Sequence, residues 1–396
     1  MVNKDRLERD LKRLGAIGWR EEHGLARMAY SEQYIEARDY VQRLMTEAGM
    51  LTRVDPVGNL FGFVAGSCPE TKTILLGSHL DAVPGGGIYD GAVGVIGALE
   101  AVRGIREQGL VTRHSLEVAA FIAEEGGDLG GTFGSRAFVG EVPTDMPDEV
   151  LGQYRLSIAD VEASRGNTDS YCCYLELHIE QGPVLWEKGI PIGIPTAIVG
   201  ISRYKVRIVG EANHAGTTPM INRKDALRAA VRVLDRWYDL VDHAHGFVCN
   251  IGTLKILPGS VAVVPGEVEF VLELRSTDDA TTELGAREFE EMLHTTVAIP
   301  SQFELLVRKP AVRMSESLVN VIQTSCAELG IQYLLMPSGA SHDASPLARH
   351  IPAGMVFVPS VKGVSHRKDE FTPIDDIATG VEVLMRALLG ADGRIP

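Results

Sequence analysis

The sequence predicts an α/β protein with a mixed sheet, into which a smaller antiparallel α+β domain is inserted. Strand and helix patterns alternate over residues 1–199 and again over residues 309–396, as in helices layered on a sheet. Over residues 200–308 the strands instead alternate polar and apolar residues, as in an antiparallel sheet with one wet face. With 396 residues, the chain is long enough for two domains. We therefore predict one domain of two chain segments, 1–199 and 309–396, and one inserted domain, 200–308.

The first segment is predicted to alternate helices with strands. Leu7, Leu11 and Leu14 lie at helical spacing, and the helical pattern of residues 31–48 stops before Gly49, a residue common after helix ends. Short apolar runs bounded by polar or turn residues indicate strands. These runs cover residues 51–54, 60–64, 73–77 and 116–123, and a further helix is predicted at residues 96–108.

The inserted domain is predicted to pair half-buried strands with an amphipathic helix. Polar and apolar residues alternate over residues 204–210 and 268–275, and the helix covers residues 224–241. After residue 309 the earlier pattern resumes, with a helix at residues 318–329 and a strand at residues 355–358. The chain thus returns to the first sheet after leaving the inserted domain.

Charge and composition argue against several classes of protein. The net charge is −15 and no basic cluster is present, so we expect neither nucleic acid nor a membrane as partner. No apolar run approaches the ~20 residues that span a bilayer. The segment from Met1 to Leu11 lacks the apolar core of a signal peptide, which predicts a cytoplasmic protein. The cysteines are odd in number and not in C-x-x-C spacing, so we expect reduced structural thiols.

Histidine and aspartate around glycine-rich turns indicate a metal site. The strand at residues 73–77 delivers His79 to its end, and Asp81 follows two residues later. Gly85–Gly87 let the chain reverse, so that Asp90 can approach the same point from the other side. Taken alone, this pattern fits a polar strand end and a loop equally well. Further candidate ligands elsewhere in the chain favour the metal site.

Two adjacent acids and two more histidines complete the set of candidate ligands. Glu124 and Glu125 end an apolar strand; they are either a solvated surface pair or acids held in a cleft, where one ligates and the other moves a proton. His178 lies on an alternating strand and His366 in a loop, and for each alone a simple hydrogen bond is the alternative. Together with the first motif they supply two zinc-like sites, if Asp90 bridges.

The inserted domain carries two candidate substrate-binding residues. His214 lies in a turn among small residues, exposed enough to reach a substrate, although a turn-capping histidine is an equal alternative. Arg275, at the end of its strand, is either a solvated charge or a bidentate clamp for a substrate carboxylate. The residues alone leave both alternatives open.

Several motifs in order along nearly the whole chain resemble one family. They are Val57–Leu60, Gly77–Asp81, Tyr89–Gly91, Glu124–Gly126, His178–Pro183, His214–Met220, Val264–Gly266, Ser338–Ala340 with His342–Ala344, and Ser365–His366. The chain resembles the amidase/hydantoinase-carbamoylase family of dinuclear metal-dependent hydrolases. That family includes N-carbamoyl-L-amino-acid hydrolases, β-ureidopropionases and allantoate amidohydrolases. The implied fold is a metallopeptidase-like catalytic domain with an inserted dimerisation, or lid, domain.

The resemblance implies a dinuclear metal centre. It assigns His79 and His178 to one ion, Glu125 and His366 to the other, and Asp90 to both. The implied cofactors are two divalent ions per subunit, zinc first, with manganese, cobalt or nickel as alternatives.

The resemblance also assigns supporting roles around this centre. Glu124 is the implied general base, and the carboxylate of Asp81 is expected to accept the second ring proton of His79, which fixes the tautomer of that ligand. Family members have a cis peptide after the bridging aspartate, so a cis bond is expected at Asp90–Gly91.

The family pattern further implies a substrate site shared between two subunits. The inserted domain forms the dimer interface in such proteins, so His214 would act on the partner subunit's substrate. Gln181, Arg275 and Gly339 match substrate-binding positions. Where relatives carry Asn-Val-Val-Pro-Gly, this chain has Ala262 in place of the asparagine, so one amide contact to the substrate is missing.

The expected function is hydrolysis of a linear carbon–nitrogen bond other than a peptide bond. The expected substrate is a small molecule that bears a carboxylate, an N-carbamoyl or related N-acyl amino acid. An aminoacylase or dipeptidase is the alternative enzyme, and a ligand-binding protein on the same scaffold is the alternative outside enzymes. A spare general base argues against the binding protein, because ligand binding does not require it.

Overall fold

The structure is a computed structural model, and it describes residues 2–68, 70–243 and 246–394. Met1, the first residue of the segment that predicts a cytoplasmic protein, lies outside the described residues. The chain divides into two compact units. The first consists of residues 1–198 and 313–396, and the second of residues 199–312.

The described residues form twelve α-helices. They are α1 Lys4–Ala16, α2 Glu32–Glu47, α3 Ala92–Glu107, α4 Phe133–Val139, α5 Asp148–Gln153, α6 Ile158–Ala163, α7 Val184–Lys188, α8 Ala226–Val241, α9 Asp279–Thr296, α10 Glu316–Leu329, α11 Ala344–Leu347 and α12 Ile374–Arg394. The spacing of Leu7, Leu11 and Leu14 predicted α1 correctly, and all three side chains are buried.

The described residues also form seventeen strands. They are β1 Trp19–Arg20, β2 Gly24–Arg27, β3 Leu51–Val54, β4 Leu60–Val64, β5 Thr73–His79, β6 Ala82–Gly86, β7 Leu116–Phe121, β8 Tyr171–Ile179, β9 Ile192–Ile198, β10 Gly200–Val209, β11 Val248–Asn250, β12 Leu254–Leu257, β13 Glu267–Ser276, β14 Ser301–Lys309, β15 Val312–Arg313, β16 Tyr333–Ser338 and β17 Ala353–Val358.

The first unit is built on a nine-stranded mixed sheet. Its strand order is β15-β9-β17-β8-β5-β7-β4-β3, and β16 pairs with β9. The central strands β17, β8, β5 and β7 run parallel to one another, whereas β4 pairs antiparallel with β7 and β3 pairs antiparallel with β4. The three strands β5, β7 and β8 consist almost entirely of buried residues, as is typical of parallel strands covered on both faces. The predicted mixed α/β sheet is confirmed.

The parallel strands bring candidate ligands to one edge of the sheet. His79 is the last residue of β5, and His178 lies one residue before the end of β8. Glu124 follows the end of β7, and His366 follows β17 after a short loop. Because the carboxyl ends of parallel strands meet at the same edge, these side chains converge there.

The second unit is a five-stranded antiparallel sheet with two helices. Its order is β11-β13-β10-β14, and β12 also pairs with β13. Along β13 buried residues alternate strictly with partly exposed residues, so one face of the sheet is buried. Helices α8 and α9 cover that face, and Trp237, Phe270 and Phe289 lie at the centre of the core. The inserted antiparallel α+β architecture is as the sequence predicted.

Several element boundaries differ by a few residues from the sequence-based prediction, and two of them have a clear physical reason. Helix α3 begins at Ala92 rather than residue 96. The prediction missed its first turn because the helix is buried on every side and that turn lacks the polar residues that mark an exposed start. Strand β7 ends at Phe121 rather than residue 123, because Ala123 adopts a left-handed backbone with φ of 57°. No helix of the described chain is long and apolar enough to cross a membrane.

Candidate dinuclear metal centre

His79 and His178 both turn their Nε2 atoms towards Asp90. The Nδ1 atom of His79 lies 3.0 Å from the carbonyl oxygen of Asp81, and the Nδ1 atom of His178 lies 2.8 Å from the carbonyl oxygen of Ile179. These main-chain acceptors hold the ring proton on Nδ1, so each Nε2 is left as an electron-pair donor.

The carboxylate of Asp81 does not accept the ring proton of His79, contrary to what the family resemblance implied. Its carboxylate lies 3.8 Å from Nδ1 of His79, so the ring proton goes to the main-chain carbonyl instead. The two carboxylate oxygens accept the main-chain N–H groups of Glu124 and Glu125, at 3.2 and 3.1 Å. The carboxylate of Asp81 therefore orients the two adjacent acids, and its carbonyl group orients the imidazole.

Asp90 sits at a tight chain reversal before α3. Gly91 has φ of 63°, and the N–H of Ala92 donates to the carbonyl oxygen of Asp90 at 2.6 Å, which closes a three-residue turn. A Cβ atom on Gly91 would lie 2.5 Å from the ring of His79. The expected cis peptide at Asp90–Gly91 is wrong: the cis bond that the described residues contain is Leu257–Pro258. Positive φ at Gly91 reverses the chain with a trans peptide.

Glu124 and Glu125 follow a strained residue. Ala123 has φ of 57°, in a region that costs a non-glycine residue about 1–3 kcal/mol. The N–H groups of Thr132 and Phe133 return to the carbonyl oxygens of Glu124 and Ala123, at 2.8 and 2.9 Å, and hold this turn in place. Oε2 of Glu124 lies 3.8 Å from Nε2 of His79, and the residue is 8% exposed.

His366 completes the cluster from the loop after β17. Its Nε2 lies 3.1 Å from Oδ2 of Asp90 and 3.3 Å from Oε2 of Glu125. Its side chain is half-exposed, and its φ of 57° is again left-handed. Gln181, predicted to bind substrate, donates from Nε2 to Oδ2 of Asp90 at 2.7 Å.

The donor atoms have the spacing of a metal site. Nε2 of His178 and Nε2 of His79 lie 3.2 and 3.6 Å from Oδ1 of Asp90, and the second group is formed by Asp90, Glu125 and His366. Tetrahedral coordination with bonds near 2.05 Å separates neighbouring donors by about 3.3 Å. The two groups share Asp90, one carboxylate oxygen facing each.

Orphaned buried atoms also fit this assignment. Nε2 of His178 and Oε1 of Glu125 are buried and make no hydrogen bond within the described parts of the chain. Such atoms are costly unless something binds them. Imidazole nitrogens and carboxylate oxygens together suit zinc and its first-row neighbours. The residues present therefore fit two divalent ions.

The charges of the cluster shift the pKa values of its members strongly. Burial alone would lower the pKa of His79, but Asp90 and the neighbouring acids raise it well above its usual value. Hydrogen bonds to Asp90 and Glu125 raise the pKa of His366 to about 10. Burial raises the pKa of Glu124 well above that of an ordinary glutamate. A buried acid of this kind can hold a proton near neutral pH, as a general base must during turnover.

A third group of candidate ligands supports the site instead of extending it. Glu176, His178 and His342 lie close enough to hold an ion. Both carboxylate oxygens of Glu176 already accept hydrogen bonds, from Ser78 at 2.7 Å and from the N–H of Ala344 at 2.8 Å. The His342 ring packs 4.4 Å from that of His178. We read this group as packing behind His178.

Four further predicted residues are divided between the two units. His214, Ala262 and Arg275 belong to the second unit. His214 bridges Val263 in a β-bridge, and both His214 and Ala262 are exposed. Nε of Arg275 donates to Glu273 at 2.8 Å. Gly339, in the first unit, is exposed directly after β16, and its surroundings leave open space for a Cβ atom.

One buried acid beside the cluster escaped the sequence-based prediction. Glu370 is 5% exposed and accepts the main-chain N–H groups of Tyr89 and Asp90. It ends a run of four charged residues, 367–370, which in sequence resembles a solvated loop. Its spacing of four residues after His366 is a signal only once His366 is assigned to the site.

Comparison with known proteins gives the family. Residues 75–390 match the model of peptidase family M20/M25/M40. The chain is 37% identical to an N-carbamoyl-L-amino-acid amidohydrolase of Pseudomonas sp. (strain NS671), over 98% of both chains, and 33% identical to the allantoate amidohydrolase of Escherichia coli (strain K12), over 96% of this chain and 95% of the other. It superposes on an amidase of the hydantoinase/carbamoylase family from Burkholderia multivorans with a TM-score of 0.89 and 30% identity, over 98% and 97% of the two chains. The family resemblance of the motifs is confirmed, and the chain belongs to peptidase family M20/M25/M40.

Proposed function

We propose that this protein is a metal-dependent amidohydrolase that cleaves the linear carbon–nitrogen bond of an N-carbamoyl or related N-acyl amino acid. The observation that carries the proposal is the spare acid: Glu124 is buried at the metal cluster, 3.8 Å from His79, and belongs to neither ligand group. A site built only to hold ions has no use for such an acid. Relatives named for N-carbamoyl-L-amino acids and allantoate support a ureido substrate.

The ligand groups suit two divalent ions. His79, His178 and Asp90 would hold one, and Asp90, Glu125 and His366 the other. Bound divalent ions polarise a carbonyl group and lower the pKa of water from about 15.7 towards 7. Zinc is the first candidate, with manganese, cobalt or nickel as alternatives, because all accept mixed imidazole and carboxylate ligands.

The acid–base steps fall to Glu124. Its carboxylate takes a proton as water oxygen bonds to the carbonyl carbon of the substrate, and it returns that proton to the leaving nitrogen as the carbon–nitrogen bond breaks. Asp81 orients the carboxylate by accepting the main-chain N–H of Glu124. Burial keeps bulk water from competing for this proton.

The substrate is proposed to carry a carboxylate that Arg275 binds. Carbamoyl amino acids and allantoate, for which the relatives are named, both contain one. Glu273 accepts from Nε of Arg275 and so fixes the plane of the guanidinium. Ala262 and Gly339 would line the same substrate; Ala262 provides a small side chain where the family pattern has an asparagine. A bulkier or less polar group near the carboxylate should therefore be accepted.

A homodimer through the inserted domain is proposed, with His214 completing the partner's site. Strand β14 is at the end of the strand order, and its Leu305 and Leu306 are each 47% exposed. Unpaired strand edges of this kind are normally covered. The exposed turn that holds His214 lies in the same unit, so it could stabilise the developing oxyanion across such an interface. We also propose the cytoplasm as its compartment, because its five cysteines are free thiols.

A substrate panel tests the proposed function. Purified protein would be assayed with N-carbamoyl amino acids, N-acetyl amino acids, dipeptides and allantoate, and both ammonia and free amino groups would be measured. We expect ammonia release from ureido substrates, and loss of that activity after chelation. Faster cleavage of acetyl amino acids or dipeptides would favour an aminoacylase or dipeptidase. Turnover by metal-free protein would overturn the proposal, and inactivity of the metal-loaded protein on every substrate would favour a binding protein.

A further inference from the structure

Glu370 binds two chain segments that carry metal ligands. Its Oε1 accepts the main-chain N–H groups of Tyr89 and Asp90, both at 3.1 Å, and its Oε2 accepts the hydroxyl of Ser365 at 2.8 Å. The first contact fixes the turn of the shared ligand Asp90. The second fixes the residue directly before His366.

The same hydroxyl also faces the shared ligand. Oγ of Ser365 lies 3.2 Å from Oδ2 of Asp90, the oxygen that faces His366. The side chain of Glu370 thus closes a ring of contacts from the backbone of Asp90 through Ser365 to the carboxylate of Asp90. These residues are 275 to 280 positions apart in the chain, so local structure cannot hold them together.

The surroundings of Glu370 leave it little freedom. The residue is 5% exposed, and the N–H of Glu370 donates to the carbonyl of Arg367, which closes a tight turn. A Cβ atom on Gly87 would lie 2.4 Å from Glu370, so glycine is required there for the carboxylate to approach. The carboxylate of Glu370 therefore hydrogen-bonds to the two loops and has little contact with solvent.

We propose that Glu370 is a positioning residue that holds Asp90 and His366 in place for the second ion. The inference rests on the proposed function, because it assumes that the two ligand groups each hold an ion. At the second site two of three ligands depend on Glu370. At the first site His79 and His178 are oriented by their own carbonyl acceptors, and only Asp90 depends on it.

The binding of Co²⁺ to chelator-stripped protein tests the role. Absorption titration should show two equivalents for the wild type. In Glu370→Ala we expect the affinity for one of the two ions to fall about 10- to 100-fold, as is usual when a residue that hydrogen-bonds to a metal ligand is removed. The affinity for the other ion should fall clearly less. Glu370→Gln keeps a carbonyl acceptor for the two N–H groups and an amide facing Ser365, so it should restore most of the loss although the charge is gone.

Two further variants separate positioning from general damage. Ser365→Ala removes one of the three contacts, and we expect a smaller loss at the same equivalent. Glu117→Ala is the matched control, since Glu117 is equally buried, at 5% exposure, and hydrogen-bonded to Tyr171. It should lower the melting temperature and leave both equivalents unchanged.

The outcomes distinguish this inference from the proposed function. If the wild type binds fewer than two equivalents, the proposed dinuclear function fails. If the wild type binds two and Glu370→Ala binds both as tightly, or loses both equally, only the positioning role is overturned. If Glu370→Ala does not fold, Ser365→Ala takes its place in the test. Wild-type affinity of Ser365→Ala for both ions would then overturn the claim that Glu370 positions His366 through Ser365.

Discussion

The adjacent acids Glu124 and Glu125 are the sharpest test of the site at the scale of single residues. Glu125→Gln should lose one bound ion and most activity, because it belongs to a ligand group. Glu124→Gln should retain both ions and lower kcat about 10²- to 10⁴-fold, the range of general acid–base catalysis. Metal content by elemental analysis and steady-state kinetics, measured on the same preparations, check both. Equal metal loss in the two variants would show that Glu124 is a ligand and not the base.

Arg275 provides a test of substrate binding. Loss of a charge-assisted bidentate pair costs about 1.5–3 kcal/mol, so Arg275→Ala should raise KM roughly ten- to hundredfold and change kcat less. Arg203→Ala is the control, because Arg203 pairs with the same carboxylate of Glu273, at 2.6 Å. A similar rise of KM in both variants would mean that only the Glu273 ion pair matters.

Sequence motifs selected five side chains that the structure brings into one cluster, but not the contacts among them. The acceptor of the His79 ring proton is the carbonyl of Asp81 and not its carboxylate, and both belong to one residue, so no motif separates them. Gln181 contacts Asp90 because its left-handed backbone, with φ of 59°, aims the amide inward. Such dihedral angles depend on the folded surroundings and leave no pattern in the sequence.

At the scale of elements, the reversal before α3 is the critical feature. Gly91→Ala would place a Cβ atom 2.5 Å from the ring of His79. We expect the variant to lose metal affinity at least about tenfold, because ligand orientation controls affinity. Gly109→Ala is a matched control with a similar φ of 69° and open space around it. It costs only left-handed strain, about 1–2 kcal/mol, so its metal affinity should be unchanged. Equal affinity in both variants would contradict this account.

Most elements could be predicted from the sequence, because pattern and burial coincide in them. The bounds of β3 and β4 agree with the apolar runs, since turn residues flank both. The start of α3 was missed by four residues because a helix buried on all sides has no amphipathic pattern to mark its first turn. The end of β7 depends on the backbone of Ala123, which no propensity for alanine would indicate.

For the whole molecule, complementation tests the proposed dimer. Glu124→Gln and His214→Ala are each expected to be inactive. If His214 acts on the partner's site, a mixed dimer holds one site with both groups intact. Random mixing should then restore about a quarter of wild-type activity, since about half of the dimers are mixed. Neither variant alone provides such a site. A mixture as inactive as its components, with subunit exchange shown by a mass-tagged chain, would place His214 outside the partner's site.

Proton uptake by the metal cluster gives a pH dependence with opposite signs for stability and ion affinity. The pKa of His366 rises from 6.5 to about 10 in the folded, metal-free protein. This histidine therefore stabilises the metal-free fold below pH 6.5, and that contribution is lost as the pH rises towards 10. Ion binding must displace the same proton, so ion affinity rises over the same range.

Calorimetry checks this prediction. Titration of the stripped protein with Zn²⁺ at pH 7, in two buffers of different ionisation enthalpy, should show net proton release. The melting temperature of the metal-free protein should fall as the pH rises from 6.5 to 10. That of the metal-loaded protein should not show this fall. Ion affinity that is independent of pH would contradict the assigned proton.

The order of the ligands along the chain has a consequence for biosynthesis. His79, Asp90 and His178, the first ligand group, all precede residue 180, whereas the second group requires His366. A ribosome that adds roughly 5–20 residues per second takes about 9–38 s to travel the 188 residues from His178 to His366. During that interval a growing chain has one complete set of ligands and the other lacks its last member. A chain that ends before His366 therefore lacks one candidate ligand of the second group and also Glu370, which holds the backbone of Asp90.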